Sequence, residues 1–236
     1  PAPLSAGDLH HAVRVARIRA GEEIVVVEPG GAAWRALVCV GGAEGLAVRV
    51  REPLASTEHP RVTLVQGVAK GDKMDEIVRH AVEIGVAEIV PVVTARSVVR
   101  LDAAKRSERG ARWRRIAQSA AKQAQRTDIP PVSDPVELSA CIAELAGFDG
   151  VVVVWEEARE RGLASAISAW TIVPDARVAL VVGPEGGLTR EEVASLEAAG
   201  AVQASLGPTV LRTETAAIVA LALVIHEFGG LGGQGR

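Results

Sequence analysis

Short apolar runs alternate with amphipathic segments over most of the chain. Continuous aliphatic and β-branched runs are typical of buried strands, whereas apolar residues repeated every three or four positions predict helices. These patterns predict strands over residues 62–68, 88–93, 151–155, 178–182 and 202–206, and helices over residues 74–84, 112–125 and 213–227. An alternation of strands and helices is typical of a parallel sheet with helices on both faces, so the predicted fold class is α/β.

The first 60 residues show a different pattern. Three β-prone runs are separated by glycine-containing turns and span residues 23–28, 34–40 and 46–52. Such runs favour a small antiparallel barrel or sheet. Residues 53–60 are polar and bounded by prolines, as in a linker. The sequence therefore predicts two domains, residues 1–60 and residues 61–236.

The helix predicted over residues 74–84 has recognisable ends. Asp72 is predicted as its N-cap, and Gly85 provides the C-terminal stop. Lys70 and Lys73 lie just before its polar side. Both lysines are compatible with a basic binding surface and equally with simple solvation.

Composition and length indicate a globular protein. The 236 residues are 48% hydrophobic, enough for a sizeable core. The longest uninterrupted apolar run, residues 216–225, is well short of the roughly 20 residues that cross a bilayer, and no signal segment stands at the start. We therefore expect a cytoplasmic protein without a membrane partner. Cys39 and Cys141 are far apart and near no pattern of metal ligands, so we expect neither a disulfide nor a metal site.

Charge is distributed unevenly along the chain. Residues 62–131 carry 13 Lys and Arg against 8 Asp and Glu, whereas residues 132–236 carry 6 against 14. The excess is densest between Arg96 and Arg126, and such a density suits nucleic-acid phosphates because each contact releases condensed counterions. A solvated helix face is the alternative. With no Tyr, two Phe and four Trp, the chain has few rings on which single-stranded bases could stack, so a folded nucleic acid held by its backbone fits better.

Two strand-to-helix loops in the last third carry the candidate chemistry. The first is Gly183-Pro184-Glu185-Gly186-Gly187, after which Thr189 and Glu192 form a capping box that opens a helix. The second runs from Leu206 to Thr215. Neither loop matches a dinucleotide fingerprint or a P-loop. Both offer backbone groups at strand ends, which suit an adenine edge and a ribose; tight structural turns are the alternative.

These loops and several shorter blocks carry a specific resemblance. The loops read VGPEGGLTREEV over residues 182–193 and SLGPTVLRTETAA over residues 205–217. Shorter blocks match in order and spacing at residues 70–75, 83–86, 96–98, 112–113 and 126–127, and the start is matched by His10, His11, Arg14 and Arg17, with Ala12 and Ala16 in place of the usual leucines. In these motifs the chain resembles the RsmE family, which methylates N3 of a uridine in small-subunit ribosomal RNA.

The resemblance implies a fold, a cofactor and partners. It implies an S-adenosylmethionine-dependent enzyme of the SPOUT class acting on 16S ribosomal RNA of the small ribosomal subunit, at the uridine usually numbered U1498. It also implies a PUA-like RNA-binding β-barrel at the N terminus, a C-terminal parallel sheet tied in a trefoil knot, and a homodimer. The apolar run of residues 216–225 gives the dimer independent support, because a helix that is apolar all round must be buried on every side. Burial within one subunit would explain that run equally well.

Methyl transfer to uridine N3 sets the requirements for catalysis. The donor is already activated, so the protein must align it with the nitrogen and stabilise the anion that deprotonation of N3 leaves. Arg212 and the free N–H groups at the start of the last helix would supply positive potential. Glu185 and Glu214 are the carboxylates of the two loops, and either could accept the proton. The helix dipole also accounts for Glu214, and hydrogen bonds that hold its loop account for Glu185.

The resemblance implies the residues that contact the cofactor. The RNA contacts are inferred from the basic stretch and the N-terminal arginines, and Arg126 also resembles a family position near the active site. The cofactor is expected at main-chain groups of Gly183, Glu185, Gly186, Leu206, Gly207, Leu211 and Arg212. The substrate RNA is expected at Arg14, Arg17, Lys70, Arg96, Arg112, Arg114, Arg115 and Arg126. Two alternatives stay open: a SPOUT methyltransferase for another ribosomal or transfer RNA base, and a non-catalytic RNA-binding or ribosome-assembly protein. Binding of S-adenosylmethionine separates an enzyme from a binding module.

Overall fold

The structure is a computed structural model. It describes residues 11–15, 17–27, 33–40, 46–53, 61–97, 102–158, 161–171, 173 and 176–231. The chain divides into two compact units, one of residues 1–57 with 126–128 and one of residues 58–125 with 129–236. The predicted linker after Pro53 and the motif residues His10 and Ala16 lie outside the described residues. The division into domains 1–60 and 61–236 therefore stays a prediction.

The smaller unit contains an antiparallel sheet, as its pattern predicts. The strands β1 (Glu23–Val27), β2 (Ala33–Val40) and β3 (Ala47–Pro53) pair in the order β1-β2-β3, and a π-helical turn at His11–Val15 precedes them. In β2, Ala36 and Val38 are buried. The neighbouring Arg35 is exposed, and its Nε lies 2.8 Å from Glu52 Oε1. Successive side chains of β2 therefore alternate between an apolar and a charged environment.

The larger unit is built on six parallel strands. They are β4 (Arg61–Gly67), β5 (Glu88–Val93), β6 (Val136–Glu137), β7 (Gly150–Val154), β8 (Arg177–Val182) and β9 (Val202–Ala204), in the order β6-β5-β4-β8-β7-β9. The helices are α1 (Lys73–Ile84), α2 (Ala103–Gln123), α3 (Leu138–Glu144), α4 (Leu163–Ile167), α5 (Arg190–Ala198) and α6 (Thr213–Glu227), with a 3₁₀ turn at Leu145–Gly147. The predicted α/β class with a parallel sheet is confirmed.

Helices cover both faces of this sheet. On one face, Met74, Ile77, Trp113 and Leu221 of α1, α2 and α6 pack on strand residues such as Leu64. On the other face, Leu138 and Cys141 of α3 and Leu196 of α5 pack on Val65 and Val181. Because neighbouring residues of β4 face opposite cores, both Leu64 and Val65 are buried, which explains the mainly apolar run that the sequence shows.

Several element ends differ from the predicted ones. Helix α2 begins at Ala103, because the side chain of Asp102 caps it by accepting a hydrogen bond from Lys105 N at 2.9 Å. Before Trp113 this helix buries only Gly110, so apolar spacing could not reveal its first turns. Strand β9 ends at Ala204, two residues before the prediction. The elements β6, α3 and α4 are too short for a periodic pattern and were not predicted.

The caps of α1 and α5 give mixed results. Gly85 ends α1 in the left-handed region with φ 115°, as predicted. Asp72 occupies the predicted N-cap position, but its side chain makes no capping hydrogen bond, and its Oδ1 instead lies 3.3 Å from Arg112 Nη2. The capping box of α5 is confirmed, since Thr189 N donates to Glu192 Oε2 at 2.8 Å and Glu192 N donates to Thr189 Oγ1 at 3.2 Å.

The strand order changes direction between β4 and β8. Strands β5 and β6 lie on one side of this pair, and β7 and β9 lie on the other. In open α/β sheets, crevices form at the carboxyl ends of the strands at such a point. A side chain at Gly67, the last residue of β4, would overlap Pro184 of the loop that follows β8. The first candidate loop therefore packs directly against the end of the central strand.

Candidate functional site

The first loop is a tight turn at the carboxyl end of β8. Gly187 has φ +68° and donates its N–H to the carbonyl of Pro184 at 2.9 Å. A Cβ on Gly187 would lie 2.5 Å from Glu156 Oε1, and one on Gly183 would lie 3.1 Å from Leu188 N. The loop is therefore closely packed at both glycines, against the Glu156 side chain at Gly187 and partly against backbone at Gly183, where a larger side chain would clash.

The second loop connects β9 to α6. The hydroxyl of Ser205 is within 3.1 Å of both the N–H and the carbonyl of Gly207, which has φ +115°. Helix α6 then begins at Thr213, with Arg212 in the N-cap position and without a side-chain cap. The first N–H groups of α6 are therefore available at the mouth of this loop.

The two loops enclose a cavity of about 440 Å³. Most of the predicted cofactor residues line it, namely Gly183, Glu185, Leu206, Gly207, Leu211 and Arg212. The predicted residue Gly186 is not part of the lining; a Cβ there would lie 3.0 Å from Arg96 Cβ, outside the cavity wall. The lining also includes Lys73, Trp155, Glu156 and Thr213, which the motifs did not identify as ligand contacts.

A buried polar network holds the two loops together. Thr213 Oγ1 donates to the Gly183 carbonyl at 2.6 Å. Gln66 Nε2 donates to Thr213 Oγ1 at 3.1 Å and to the carbonyl of Gly67 at 2.9 Å. Gln66 is completely buried. In the sequence, Gln66 stands out as a lone amide in the mainly apolar run of residues 62–68, but its partner Thr213 is distant in the chain.

Glu185 is held on two sides. Its Oε1 accepts a hydrogen bond from Lys70 N at 3.0 Å and lies 3.0 Å from Lys73 Nζ. Burial raises the pKa of Glu185, but the backbone hydrogen bonds and Lys73 outweigh it, so the pKa is lowered below its ordinary value. In return, the hydrogen bond and charge of Glu185, with a smaller effect of Glu214, raise the pKa of Lys73. The carboxylate is thus kept ionised and fixed.

Glu214 lies beside the same lysine. Its Oε2 is 3.6 Å from Lys73 Nζ, an ion-pair distance that is too long for a hydrogen bond. This oxygen is buried and has no hydrogen-bond partner among the residues that the structure describes. Glu214 is therefore the less constrained of the two predicted carboxylates.

Arg212 differs from Lys73 in being unengaged. It is exposed and lines the cavity next to the start of α6. No hydrogen bond or ion pair of its side chain occurs within the described ranges. A guanidinium in this position is available to an anionic ligand.

The predicted RNA contacts of the larger unit fall into two groups. Arg96 is turned to the first loop, where Nη1 donates to the Gly186 carbonyl at 3.0 Å and to the Leu188 carbonyl at 3.3 Å. Lys70 contributes its backbone N–H to Glu185. The other group is on α2.

On α2, three predicted arginines are exposed and partly engaged. Arg112 Nε donates to Asp75 Oδ2 at 3.0 Å, and Arg114 Nη1 to Asp134 Oδ1 at 2.8 Å. Arg115 is held to its own helix, at 3.3 Å from the Ala111 carbonyl. The side chain of Arg112 is 55% exposed and that of Arg114 is 46% exposed, so both can still reach solvent.

The remaining predicted RNA contacts belong to the smaller unit. Arg14 lies in the π-helical turn and Arg17 follows it with φ 52°, and both are exposed. Arg126 belongs to the same unit, and its guanidinium pairs with Asp128 at 2.7 Å. The side chain of Arg126 is only 14% exposed.

The described residues offer neither a candidate membrane span nor a candidate metal site. No helix among them is long and apolar enough to serve as a membrane span. In the same part of the chain, no group of three or more His, Cys, Asp and Glu side chains is arranged to hold a metal ion.

Comparison with known proteins identifies the family. The RNA methyltransferase domain model matches residues 57–225, and the RNA methyltransferase PUA domain model matches residues 4–42. Ribosomal RNA small subunit methyltransferase E of Mycobacterium tuberculosis is 40% identical over 220 residues, covering 91% of this chain and 82% of the relative. The protein of the same name from Bacillus subtilis is 34% identical over 224 residues, covering 93% and 88%.

Solved structures agree with the sequence relatives. The crystal structure of ribosomal RNA small subunit methyltransferase E from Neisseria gonorrhoeae, bound to S-adenosyl methionine, matches with a TM-score of 0.75 and 27% identity. The match covers 93% of this chain and 88% of the other. The chain therefore belongs to the ribosomal RNA small subunit methyltransferase E family of RNA methyltransferases, the family that its loop motifs resemble.

Proposed function

We propose that this protein transfers the methyl group of S-adenosylmethionine to N3 of a uridine in 16S ribosomal RNA, at the position usually numbered U1498. The observation that carries the proposal is the cavity between the two loops, with the unengaged Arg212 at its edge. A small ribosomal subunit as substrate would place the protein in the cytoplasm.

The cavity fits the proposed cofactor in size and chemistry. Its volume of about 440 Å³ is within the usual range of small-molecule sites. Gly183, Leu206 and Gly207 present main-chain groups for an adenosine, and Leu211 adds an apolar wall. When bound there, S-adenosylmethionine would supply an activated methyl group. The residues of the chain would align it with the nucleotide and exclude water.

Arg212 is proposed to stabilise the uridine anion. Loss of the N3 proton spreads negative charge over N3 and the two flanking carbonyl oxygens, and a cation close to these atoms lowers the barrier. The N–H groups of the first turn of α6 add to the same potential. Lys73 also lines the cavity, but its ammonium already forms ion pairs with Glu185 and Glu214. Arg212 is therefore the better candidate.

Glu214 is proposed to accept the N3 proton, directly or through a water molecule. The alternative, Glu185, has its carboxylate bound to Lys70 N and Lys73, and its lowered pKa makes it a poor base. Glu185 is accordingly assigned to holding the shape of the first loop. Arg96 supports the same loop through the carbonyls of Gly186 and Leu188.

RNA is proposed to bind along α2 and the smaller unit. Arg112, Arg114 and Arg115 would exchange their present partners for phosphates, since a phosphate is a stronger bidentate acceptor at an exposed site. Arg14 and Arg17 would add contacts from the smaller unit. Arg126 is a weaker candidate, because its side chain is mostly buried against Asp128.

A homodimer is proposed through the exposed side of α6. Val219 and Leu223 are one helical turn apart and are 38% and 40% exposed, although the helix carries no charge between Glu214 and His226. An exposed aliphatic stripe of this kind favours a partner surface. The trefoil knot that the resemblance implies is retained as part of this proposal.

Transfer of labelled methyl groups tests the proposed activity. The protein is incubated with methyl-labelled S-adenosylmethionine and either naked 16S RNA or assembled small subunits. Arg212→Ala is expected to lower kcat by about 100-fold or more at saturating RNA and cofactor. The matched control, Arg190→Ala, removes an exposed arginine that is paired with Glu157 outside the cavity lining. Undiminished turnover of Arg212→Ala would contradict the role of that arginine, and absence of cofactor binding would favour a bare RNA-binding protein.

A further inference from the structure

An ion cluster joins three elements at the wall of the cavity. Lys73 of α1 lies 3.0 Å from Glu185 Oε1 in the first loop and 3.6 Å from Glu214 Oε2 in α6. The side chains are 34%, 24% and 19% exposed, respectively, so solvent only partly screens their charges. We propose that Lys73 is a positioning residue that holds the two carboxylates in one cluster and thereby fixes the loop walling the cofactor cavity. The test of this role uses S-adenosylmethionine, so the choice of that ligand rests on the proposed function.

The positions of Glu185 and Glu214 in the cluster depend on the ammonium of Lys73. Two carboxylates within ion-pair distance of one ammonium repel each other once that ammonium is removed, and partial burial strengthens the repulsion. Glu185 is the member that shapes the loop, because it also accepts the hydrogen bond from Lys70 N. Any displacement of Glu185 is therefore passed to Gly183 and Gly187 of the cavity wall.

Neighbouring charges do not replace Lys73. The guanidinium of Arg96 is used by the carbonyls of Gly186 and Leu188. Glu156 stands beside Gly187 and adds negative charge. Arg212 lines the cavity but makes no ion pair with either carboxylate within the described ranges. Lys73 is thus the cation on which both Glu185 and Glu214 depend.

Loss of Lys73 has a consequence for pH dependence. In the wild-type protein the pKa of Glu185 is lowered, so the carboxylate stays ionised in mild acid. Without Lys73, burial and Glu214 both favour the protonated form of Glu185, and only the backbone hydrogen bonds still lower its pKa. As the pH falls, protonation of Glu185 then weakens the hydrogen bond that its carboxylate accepts from Lys70 N.

Calorimetric titration with S-adenosylmethionine tests this role. Lys73→Met keeps an unbranched side chain without the charge and is expected to weaken binding about tenfold at about pH 7, and further at about pH 6. Glu214→Gln in the Lys73→Met background removes the repulsion and is expected to restore most of the affinity. Arg79→Met, which removes an exposed cation from the same helix, is the control and should bind as the wild type does.

The outcomes separate the inference from the proposed function. Lys73→Met affinity equal to the wild type at each pH would overturn the inference, as would a pH-independent loss that Glu214→Gln does not restore. Absence of binding by the wild type would contradict the proposed cofactor instead. The cluster is then judged on the ligand-free protein, where Lys73→Met should lower Tm by about 2–4 °C and Glu214→Gln should recover it. Unchanged Tm values in that case would overturn the inference too.

Discussion

Thr213 donates its hydroxyl to the carbonyl of Gly183 across 2.6 Å, which ties the first turn of α6 to the end of β8. The two residues are buried with Gln66, whose amide also bonds to Thr213. The two loops that line the cavity are therefore fixed to each other where the first leaves β8 and the second enters α6. This arrangement leaves Arg212 and the N–H groups of α6 facing the cavity.

Thr213→Val should destabilise the junction between the two loops, where Thr213 bonds to the Gly183 carbonyl. Valine has nearly the shape of threonine, but it leaves the Gly183 carbonyl with only the 3.4 Å hydrogen bond from Gln66 Nε2 and removes one acceptor of Gln66, at a cost of about 1–3 kcal/mol. We expect a lower Tm and about tenfold weaker binding of S-adenosylmethionine by calorimetry. Thr215→Val, at an exposed position of the same helix, is the control. Equal effects of the two substitutions would show that the hydroxyl of Thr213 is unimportant.

Gly67→Ala should displace the first loop. The new Cβ would overlap the ring and nitrogen of Pro184, and neither backbone can move without disturbing the sheet. Overpacking of this kind costs about 1–3 kcal/mol. Thermal unfolding and cofactor titration should both reveal the defect. Gly162→Ala is the matched control, because a Cβ there meets nothing within 4 Å; a Gly67→Ala protein indistinguishable from it would refute the close approach of Pro184.

Neutralising α2 should change the salt dependence of RNA binding. If Arg112, Arg114 and Arg115 each contact a phosphate, their replacement by Ala should reduce the slope of log K against log salt by about 2–3. The slope is measured from binding curves on small-subunit RNA at several salt concentrations. Arg177→Ala, at the amino end of β8, should leave it unchanged. An unchanged slope for the triple variant would remove this helix from the RNA footprint.

Charge on the exposed side of α6 should separate a homodimer. Val219→Asp with Leu223→Asp places two carboxylates in the proposed interface, where their desolvation is unfavourable. Light scattering is expected to give twice the mass of one chain for the wild type and the mass of one chain for the variant. Val173→Asp, at another exposed aliphatic residue, should remain dimeric. A wild-type monomer would contradict the proposal.

The strands and the two loops could be predicted because local sequence determines them. Strand β5 and helix α6 match their predicted ranges, since apolar runs, the glycine stops and the capping box at Thr189 are all local features. Helix α2 was truncated in the prediction, because its first turns bury only Gly110 and its start depends on the Asp102 cap. Asp72 had the right residue type for a cap, but Arg112 competes for its carboxylate.

The supporting residues of the site could not be predicted from local sequence. Gln66 hydrogen-bonds to Thr213, and Lys73 pairs with Glu185 and Glu214. These partners are far away in the chain, and they come together only because β4 and β8 are neighbours in the sheet. A lysine at the start of a helix has the same local pattern whether it is solvated or paired with two acids. The motif residues that line the cavity were found because they follow their strands directly.

Mass-spectrometric mapping of the methylated nucleotide identifies the base that the protein modifies. Small subunits lacking the modification are incubated with the protein and methyl-labelled S-adenosylmethionine, and the RNA is digested and sequenced by mass. We predict one labelled product, a 16S uridine methylated at N3, which forms about 100-fold more slowly or less when Arg212→Ala replaces the wild type. A label on another base or on a ribose, or no label with active cofactor binding, would contradict this prediction.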